Sequence, residues 1–234
     1  MVSPKFPLII LAGGFGTRLQ SVVKNTPKIL APVGDSTFLA HLVRYYYSQG
    51  IRFMVFSLFY EAEQVKSAVR EMQLPTDLRV SFVVEPEPLG TGGAVKYAVE
   101  SLRLSGAVLV CNGDTFLTAD LSRLYGIGCD GVMGLVEVGD TGRYGRVDVD
   151  NIGMISKFVE KSSSSGRGLI NAGVFKISCE VLQDIPARTF SMERDVFPKL
   201  AAEEKLFGVK LDGEFIDIGI PEDYRKFCEL KEHY

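Results

Sequence analysis

The stretch Leu8-Ile9-Ile10-Leu11-Ala12-Gly13-Gly14-Phe15-Gly16-Thr17-Arg18 decides how the rest of this chain is interpreted. Its apolar first part ends at a glycine pair, which predicts a buried strand followed by a loop. Glycines in such a loop let the backbone approach a ligand without an intervening Cβ atom, and their exposed amides form a concavity that binds anions. Arg18 and, further along, Lys28 add positive charge. The segment therefore predicts a site for a nucleoside triphosphate.

Two familiar phosphate-binding loops do not fit this stretch. The string Gly-x-x-x-x-Gly-Lys-Ser/Thr of the Walker loop does not occur in the sequence. The dinucleotide-binding fingerprint needs a third glycine, and this chain has Leu19 there. A tight strand-to-loop turn without a ligand stays open for the glycines taken alone. The nearby Arg18 and Pro27-Lys28 make that turn the weaker interpretation.

Composition limits the classes of function. The 234 residues suffice for one large α/β domain or two small ones, and a hydrophobic content of 46% supports a substantial core. A net charge of −3 argues against a nucleic-acid partner, which would need a basic surface. With two histidines, His41 and His233, a Ser-His-Asp triad or a histidine-ligated metal has no support. The apolar run near the N terminus is too short to span a membrane and lacks the flanks of a signal peptide.

Cysteine usage indicates the compartment. Four cysteines are scattered without a Cys-x-x-Cys pair, at positions 111, 129, 179 and 228. Such spacing fits reduced thiols better than a zinc site or a disulfide framework. We therefore expect a cytoplasmic protein without membrane or nucleic-acid partners, and nothing in the sequence indicates its oligomeric state.

Strand and helix patterns alternate through the first half of the chain. The predicted elements after the first strand are a strand at Arg52–Leu58, a helix carrying Ala62 to Met72, a strand at Val80–Val84, a helix at Gly92–Leu102 and a strand at Ala107–Cys111. Strands separated by helices imply a parallel sheet, whose ligands gather beyond the carboxyl ends of its strands. The Gly13 loop, the segment Glu85–Gly93 and Asp114 each follow a strand, so we expect them to converge.

After Asp130 the pattern changes to strands with few helices between them. The predicted strands are Val132–Val138, Arg146–Val149, Met154–Glu160 and Leu169–Ile177. We expect them to extend the same sheet and to build a second wall of the cleft. The loop Ser162–Gly168 is mobile by composition, and the sequence leaves open whether it acts as a lid.

The string Gly13 to Leu19, followed by Pro27, Lys28 and Pro32, resembles the signature of the sugar-1-phosphate nucleotidyltransferases, Gly-Gly-x-Gly-Thr-Arg-Leu with a downstream Pro-Lys and a further Pro. The resemblance extends from Leu8 to about Tyr224. No segment resembles the hexapeptide β-helix tail that many longer relatives carry.

This resemblance implies a single α/β domain over residues 1–234 with the Rossmann-like nucleotidyltransferase fold, a mixed, mostly parallel sheet flanked by helices. Residues 1–130 would form the nucleotide-binding half and residues 131–234 the sugar-phosphate-binding half.

The resemblance also implies roles for single residues. Arg18, whose guanidinium can grip two oxygens at once, would hold the β- and γ-phosphates, and Lys28 would follow the α-phosphate as its charge develops. Implied nucleotide-binding residues are Leu11, Ala12, Gly13, Gly14, Gly16, Thr17, Glu85, Pro88, Gly90 and Thr91. Implied sugar-phosphate-binding residues are Asn112, Gly145, Glu160, Lys161 and Asn171. Apart from the resemblance, Glu193 and Asp195 could reach the site, but we expect them on a helix face.

Two aspartates are candidate ligands of Mg²⁺, which needs only one or two carboxylates because it keeps several waters. Asp114 follows a predicted strand, and Asp217 lies in Phe215-Ile216-Asp217-Ile218-Gly219. Either one alone also fits a turn or a helix cap, but the resemblance pairs the two as metal ligands. Relatives usually carry threonine after this glycine, where the present chain has Ile220.

Glu85 bears on the choice of base. An ionised carboxylate only accepts hydrogen bonds, and guanine offers two adjacent donors, whereas uracil and thymine offer one donor between two acceptors. Glu85 therefore favours GTP, although a solvent-facing glutamate in a proline-rich loop is the alternative.

Within the family, the short length, Glu85 and the segments 191–198 and 217–224 most resemble D-glycero-α-D-manno-heptose 1-phosphate guanylyltransferases, which make GDP-heptose for bacterial surface glycans. Mannose 1-phosphate guanylyltransferases and uridylyltransferases acting on amino-sugar phosphates are alternatives. A different class, a regulatory subunit that binds nucleotide sugars without catalysis, should have lost Arg18, Lys28 or a metal carboxylate.

Overall fold

The structure, a computed structural model, describes residues 6–16, 18–19, 22–23, 26–159, 166–186 and 188–232. Among them, nine strands form one mixed sheet with helices on both faces. The predicted α/β fold with a Rossmann-like sheet is thereby confirmed.

The first half of the chain builds the parallel part of the sheet. Its elements are β1 (Leu8–Leu11), a 3-10 helix (Lys28–Leu30), β2 (Pro32–Val33), β3 (Ser36–Thr37), α1 (Phe38–Ser48), β4 (Phe53–Leu58), α2 (Ala62–Glu71), β5 (Arg79–Val84), α3 (Gly90–Ser101), β6 (Ala107–Asn112), β7 (Thr115–Leu117) and a second 3-10 helix (Leu121–Leu124). Strand β1 lies between β4 and β6 and runs parallel to both. Strand β5 follows β4, also in parallel, so four strands end at the same edge.

The second half extends the same sheet with antiparallel strands. Its elements are β8 (Gly131–Val138), β9 (Arg146–Val149), β10 (Ile155–Val159), β11 (Gly168–Ser178), α4 (Cys179–Gln183), a π-helical turn (Met192–Val196), α5 (Phe197–Ala202), β12 (Leu206–Lys210), β13 (Phe215–Asp217) and α6 (Pro221–Glu232). The long strand β11 joins the halves, because it pairs antiparallel with β6 as well as with β8 and β9. The expected extension of one sheet through both halves is present.

The sheet separates two apolar layers. Successive strand residues point to opposite faces, so Leu8 and Ile10 of β1 join one buried cluster while Ile9 joins the other. Helices α1, α2 and α6 cover the first face, and α3 and α5 cover the second. Both faces of β1 are therefore buried, which explains why its sequence is continuously apolar.

Five short strands, β2, β3, β7, β12 and β13, were not predicted from the sequence, and two of them shape the site. Strand β12 begins directly after the charged residues Glu203, Glu204 and Lys205, and it pairs parallel with β8. Strands β7 and β13 have three residues each, too few for a periodic pattern to be visible. They pair antiparallel outside the main sheet, with Asp217 opposite Thr115. This small ladder brings the end of the chain back to the turn that follows β6.

Two further observations concern the cysteines and the possibility of a membrane span. All four cysteines are free thiols. Among the helices in the described ranges, none combines the length and the apolar character that crossing a membrane requires.

Candidate active site

A cavity of about 460 Å³ opens where β1, β4, β5 and β6 end. The predicted convergence of the strand-end segments is therefore observed. The lining residues are Leu11, Ala12, Gly13, Gly14, Phe15, Gly16, Arg18, Lys28, Ile29, Phe59, Glu85, Pro88, Gly90, Thr91, Ala94, Asn112, Gly113, Asp114, Glu193 and Gly219. Most of them come from the first half of the chain, and the second half contributes Glu193 and Gly219.

The glycine loop after β1 forms one wall of the cavity and is anchored to β4. The Ala12 amide donates to the Ser57 carbonyl at 2.9 Å, and the Tyr60 amide donates to the Gly13 carbonyl at 3.4 Å. A Cβ atom at Gly13 would lie 3.0 Å from Glu85 Oε1 and 3.2 Å from the Phe59 backbone nitrogen. A Cβ atom at Gly14 would meet no protein atom within 4 Å. Packing thus requires glycine at position 13, whereas the space beside Gly14 belongs to the cavity.

Lys28, which packs against Gly16 of the glycine loop, brings its ammonium group together with two carboxylates. Lys28 starts the first 3-10 helix, and its Nζ lies 2.6 Å from Oδ2 of Asp114. Asp114 occupies the turn between β6 and β7, and Asp217 ends β13 beside that turn. The Ile218 amide donates to the Asp114 carbonyl at 2.9 Å, which ties the two acidic segments together.

Asp217 lies in an environment that disfavours its charge. Burial raises the pKa of Asp217, and the neighbouring Asp114 carboxylate raises it further, since like charges oppose ionisation. A hydrogen bond from the Gly219 amide to Oδ1 at 2.7 Å acts in the opposite direction. Lys28 also lowers this pKa. The acidic pair therefore gains from positive charge placed beside it.

Arg143, which the sequence analysis did not single out, faces the same acidic pair. It lies in the loop between β8 and β9, where Nη1 binds Asp223 of α6 at 2.8 Å and Nη2 approaches Asp217 at 3.9 Å. Its guanidinium also lies over the Tyr144 ring, 5.3 Å from the centroid. Of these contacts, only the one with Asp217 involves a predicted site residue. No motif around Arg143 in the sequence indicated a role in the site.

Glu85 faces the cavity from the end of β5 and is largely buried. Its Oε2 accepts from the Leu89 amide at 3.1 Å, and its Oε1 accepts from the Ser57 hydroxyl at 3.3 Å. Burial raises the pKa of Glu85, whereas these two donors lower it. The side chain therefore braces the turn 85–89, and each oxygen keeps a lone pair for a ligand. The alternative of a solvent-facing Glu85 is wrong.

Glu193 was expected on a helix face, and that expectation is wrong, because Glu193 lines the cavity. The expectation for Asp195 holds. Its carboxylate accepts from the Ser191 amide at 2.7 Å on the exposed side of the π-helical turn. The two residues diverge because side chains two positions apart on a helical turn point to different sides.

The predicted nucleotide-binding and catalytic residues in the described ranges all line this cavity, as does Asn112. Gly145 and Asn171, predicted for the sugar phosphate, are outside its lining, and Asn171 accepts from the Gly173 amide at 2.9 Å. Thr17, Glu160, Lys161 and residues 162–165 of the serine loop lie outside the described residues. Their roles stay predictions.

The carboxylates suit a hard divalent cation that keeps other ligands. Within the described ranges, no three histidine, cysteine or acidic side chains cluster as a metal cage. Two neighbouring carboxylates, Asp114 and Asp217, are nevertheless the complement that Mg²⁺ takes from a protein when phosphates and waters supply the rest. The donor set therefore fits Mg²⁺ and would not suit a thiolate- or imidazole-seeking metal.

A glycine loop at the carboxyl end of a Rossmann-like sheet, with a lysine and two aspartates beside it, defines a nucleotide-binding α/β enzyme. The family model for nucleotidyl transferases matches residues 8–232. The chain therefore belongs to the nucleotidyl transferase family.

Individual relatives show which members of this family the chain resembles. The chain is 37% identical to a D-glycero-α-D-manno-heptose 1-phosphate guanylyltransferase of Campylobacter jejuni, covering 94% of this chain and 97% of that protein. It is 30% identical to the mannose-1-phosphate guanylyltransferase catalytic subunit beta of Drosophila melanogaster, over 92% of this chain and 60% of that protein. The resemblance to the heptose 1-phosphate guanylyltransferases is thus confirmed.

Solved structures agree with the fold. HddC from Yersinia pseudotuberculosis, complexed with GMP-PN, matches with a TM-score of 0.84 at 37% identity, covering 97% of this chain and 99% of that one. A glucose-1-phosphate thymidylyltransferase from Bacillus anthracis, at 20% identity, also has a TM-score of 0.84. The latter shows a shared fold alone.

The two glycines at the start of the loop should respond differently to a methyl group. We expect Gly14→Ala to leave the melting temperature within about 2 °C of the wild type but to raise KM for the nucleotide about tenfold or more, because the methyl group enters the cavity. Gly13→Ala is the matched control. Contacts near 3 Å with Glu85 and Phe59 should lower its melting temperature. Thermal unfolding and steady-state kinetics measure both effects. An unchanged nucleotide KM in Gly14→Ala contradicts this role of Gly14.

Proposed function

We propose that this protein transfers GMP from GTP to D-glycero-α-D-manno-heptose 1-phosphate, giving GDP-heptose and pyrophosphate. The observation that carries the proposal is the meeting of Lys28, Asp114 and Asp217 beside the glycine loop. The names of the relatives at 35–37% identity and near-complete coverage support the choice of both substrates. In this proposal the enzyme acts in the cytoplasm and supplies an activated sugar for a surface polysaccharide. The free thiols agree with that compartment.

In this reaction an oxygen of the sugar phosphate attacks the α-phosphorus of GTP. The new P–O bond forms as the bond from the α-phosphorus to the bridging oxygen breaks, and pyrophosphate leaves with the electron pair. No protein nucleophile is needed, so catalysis rests on positioning and on neutralising charge. The backbone of the glycine loop binds phosphate oxygens, and Arg18 binds the β- and γ-phosphates. Lys28 stabilises the negative charge that develops on the α-phosphate.

Asp114 and Asp217 would hold Mg²⁺ together with phosphate oxygens and water. When bound, the ion supplies positive charge at the reacting phosphates and orients them. The pairing of Lys28 with Asp114 at 2.6 Å keeps the ammonium beside the acidic pair until a phosphate arrives. Lys28 can then exchange a carboxylate oxygen for a phosphate oxygen over a short distance.

The first test of this function is a substrate matrix. We expect magnesium-dependent pyrophosphate release with GTP and D-glycero-α-D-manno-heptose 1-phosphate, and a kcat/KM at least about tenfold lower when UTP, dTTP, CTP or ATP replaces GTP. Mannose 1-phosphate and glucosamine-type 1-phosphates are tested in parallel, because relatives named for mannose 1-phosphate are 30–32% identical. Preferred turnover of mannose 1-phosphate would replace the sugar and keep the reaction. No turnover with any pair would favour a regulatory binding protein.

Asp114→Asn separates an enzyme from such a binding protein. The amide has the size of the carboxylate but loses its charge, so we expect kcat to fall about 100-fold or more at saturating Mg²⁺. Nucleotide affinity measured by calorimetry without Mg²⁺ should change much less. Asp120→Asn is a control, since Asp120 is an exposed helix cap outside the lining of the cavity. An unchanged kcat in Asp114→Asn excludes Asp114 from metal binding.

Glu85→Gln tests the choice of base. The amide presents donors as well as an acceptor, so we expect the ratio of kcat/KM for GTP over UTP to fall about tenfold or more. Glu87→Gln is the matched control, because Glu87 lies two residues further in the same loop and is exposed. Ser57→Ala removes one donor to Glu85 without changing its charge and reports how far orientation matters. If Glu85→Gln and Glu87→Gln give the same ratio, Glu85 does not select the base.

A further inference from the structure

Glu193 presents one oriented carboxylate oxygen to the substrate cavity. Its Oε2 accepts two hydrogen bonds, from Thr91 Oγ1 at 2.6 Å and from Ser191 Oγ at 2.8 Å. Within the described part of the chain, no donor is paired with Oε1, and no lysine or arginine nitrogen lies within 4 Å of the carboxylate. One oxygen is thus fully engaged while the other remains available for a ligand.

Both hydroxyl donors are themselves fixed in orientation. Thr91 Oγ1 accepts from the Met192 amide at 2.9 Å, and Ser191 Oγ accepts from the Glu193 amide at 3.2 Å. Each hydroxyl therefore has its hydrogen directed at Glu193 and its oxygen directed at a backbone amide. Thr91, predicted to bind the nucleotide, gives its hydroxyl hydrogen to Glu193 instead, so its hydroxyl acts on the site through that carboxylate.

The segment that carries Glu193 is docked firmly on the first turn of α3. The amides of Gly92 and Gly93 donate to the Phe190 carbonyl at 3.0 and 3.2 Å. A Cβ atom at Gly92 would lie 2.3 Å from Phe190 Cδ2, so only glycine permits this approach. Glu193 consequently has the fixed position that a binding residue needs.

Capping of the π-helical turn does not explain Glu193. Ser191 caps the turn by accepting from the amides of Glu193 and Arg194, and Asp195 receives the Ser191 amide. The backbone groups at the start of the turn are thus satisfied without the Glu193 carboxylate. A carboxylate that lies beside a cavity without a cation is accounted for by a donor on the ligand.

Building on the proposed function, we propose that Glu193 is a substrate-binding residue whose Oε1 accepts a hydrogen bond from a substrate hydroxyl group. It is held by Thr91 and lines the same cavity as Glu85 and Asp114. The hydroxyl groups that the two substrates bring into this cavity are those of the nucleotide ribose and of the ring of the sugar phosphate. Both are donors of the same chemistry, and the experiment distinguishes them.

The test compares Glu193→Gln with the wild type, using whichever pair of substrates the wild type turns over. The amide oxygen can still accept from Thr91 and Ser191, which leaves an NH₂ group facing the cavity in place of an acceptor. We expect the KM of one substrate to rise about 10- to 100-fold, the effect of losing one hydrogen bond to a charged group. The melting temperature should stay within about 2 °C of the wild type.

Two arms identify the hydroxyl. If it belongs to the ribose, the wild type prefers GTP over 2′-deoxy-GTP or 3′-deoxy-GTP, and Glu193→Gln loses that preference. If it belongs to the sugar, the KM of the sugar phosphate rises while the preference among the GTP analogues persists. Calorimetric titration with GTP provides a readout independent of turnover for the first arm.

Asp195→Asn is the matched control, because it alters a carboxylate of the same turn outside the cavity. Its KM values should equal those of the wild type. Unchanged KM values for both substrates in Glu193→Gln overturn the proposal, whether or not the melting temperature falls. Should Glu193→Gln not fold, Glu193→Asp makes the same comparison, since it keeps the charge but withdraws it by one methylene group. Turnover of a different nucleotide and sugar by the wild type would refute the proposed function and leave this comparison intact.

Discussion

The site depends on one electrostatic constraint, which is that two carboxylates share a partly buried corner with a single lysine. Asp114 and Asp217 come from segments about a hundred residues apart in sequence, and the ladder between β7 and β13 holds them side by side. Burial and the neighbouring Asp114 carboxylate raise the pKa of Asp217. Lys28 compensates at 2.6 Å, and Arg143 adds a weaker contribution at 3.9 Å. The fold therefore maintains an excess of negative charge that a cation can stabilise.

The topology of the sheet brings these charged groups to one edge. Four parallel strands end at the cavity, which brings a phosphate-binding loop, Glu85 and Asp114 to one edge. The antiparallel strands of the second half leave this arrangement intact and return the chain so that Asp217 reaches Asp114. Phosphates entering such a corner would be repelled by the carboxylates without a bridging cation. A divalent ion that joins both kinds of oxygen removes the conflict, which is why the proposed Mg²⁺ follows from the charges.

Much of this arrangement could be predicted because it depends on local patterns. The strand and loop at Leu8–Gly16, the alternation of helices and strands, and the position of Asp114 after an apolar run are all readable from neighbouring residues. Asp217 could be proposed only through the family resemblance, since β13 is too short to leave a periodic pattern. Glu193 was placed wrongly because its position at the cavity depends on contacts with Thr91, about a hundred residues away in sequence. Arg143 reaches Asp217 through a loop whose course no local pattern specifies.

The glycines at the start of α3 show why a glycine-rich run must be interpreted through its contacts. A helix N terminus offers free amides to a phosphate, and Gly90-Thr91-Gly92-Gly93 suggests such a site. In this structure the Phe190 carbonyl takes the amides of Gly92 and Gly93. The first turn of α3 is therefore a docking surface for the segment that carries Glu193, and these two amides are not free for a phosphate. The lining of the cavity combines several kinds of group: the glycine loop contributes backbone amides, Lys28 contributes positive charge, and Glu85 and Glu193 contribute acceptors. A ligand that matches all of them carries phosphates as well as hydrogen-bond donors, as GTP does.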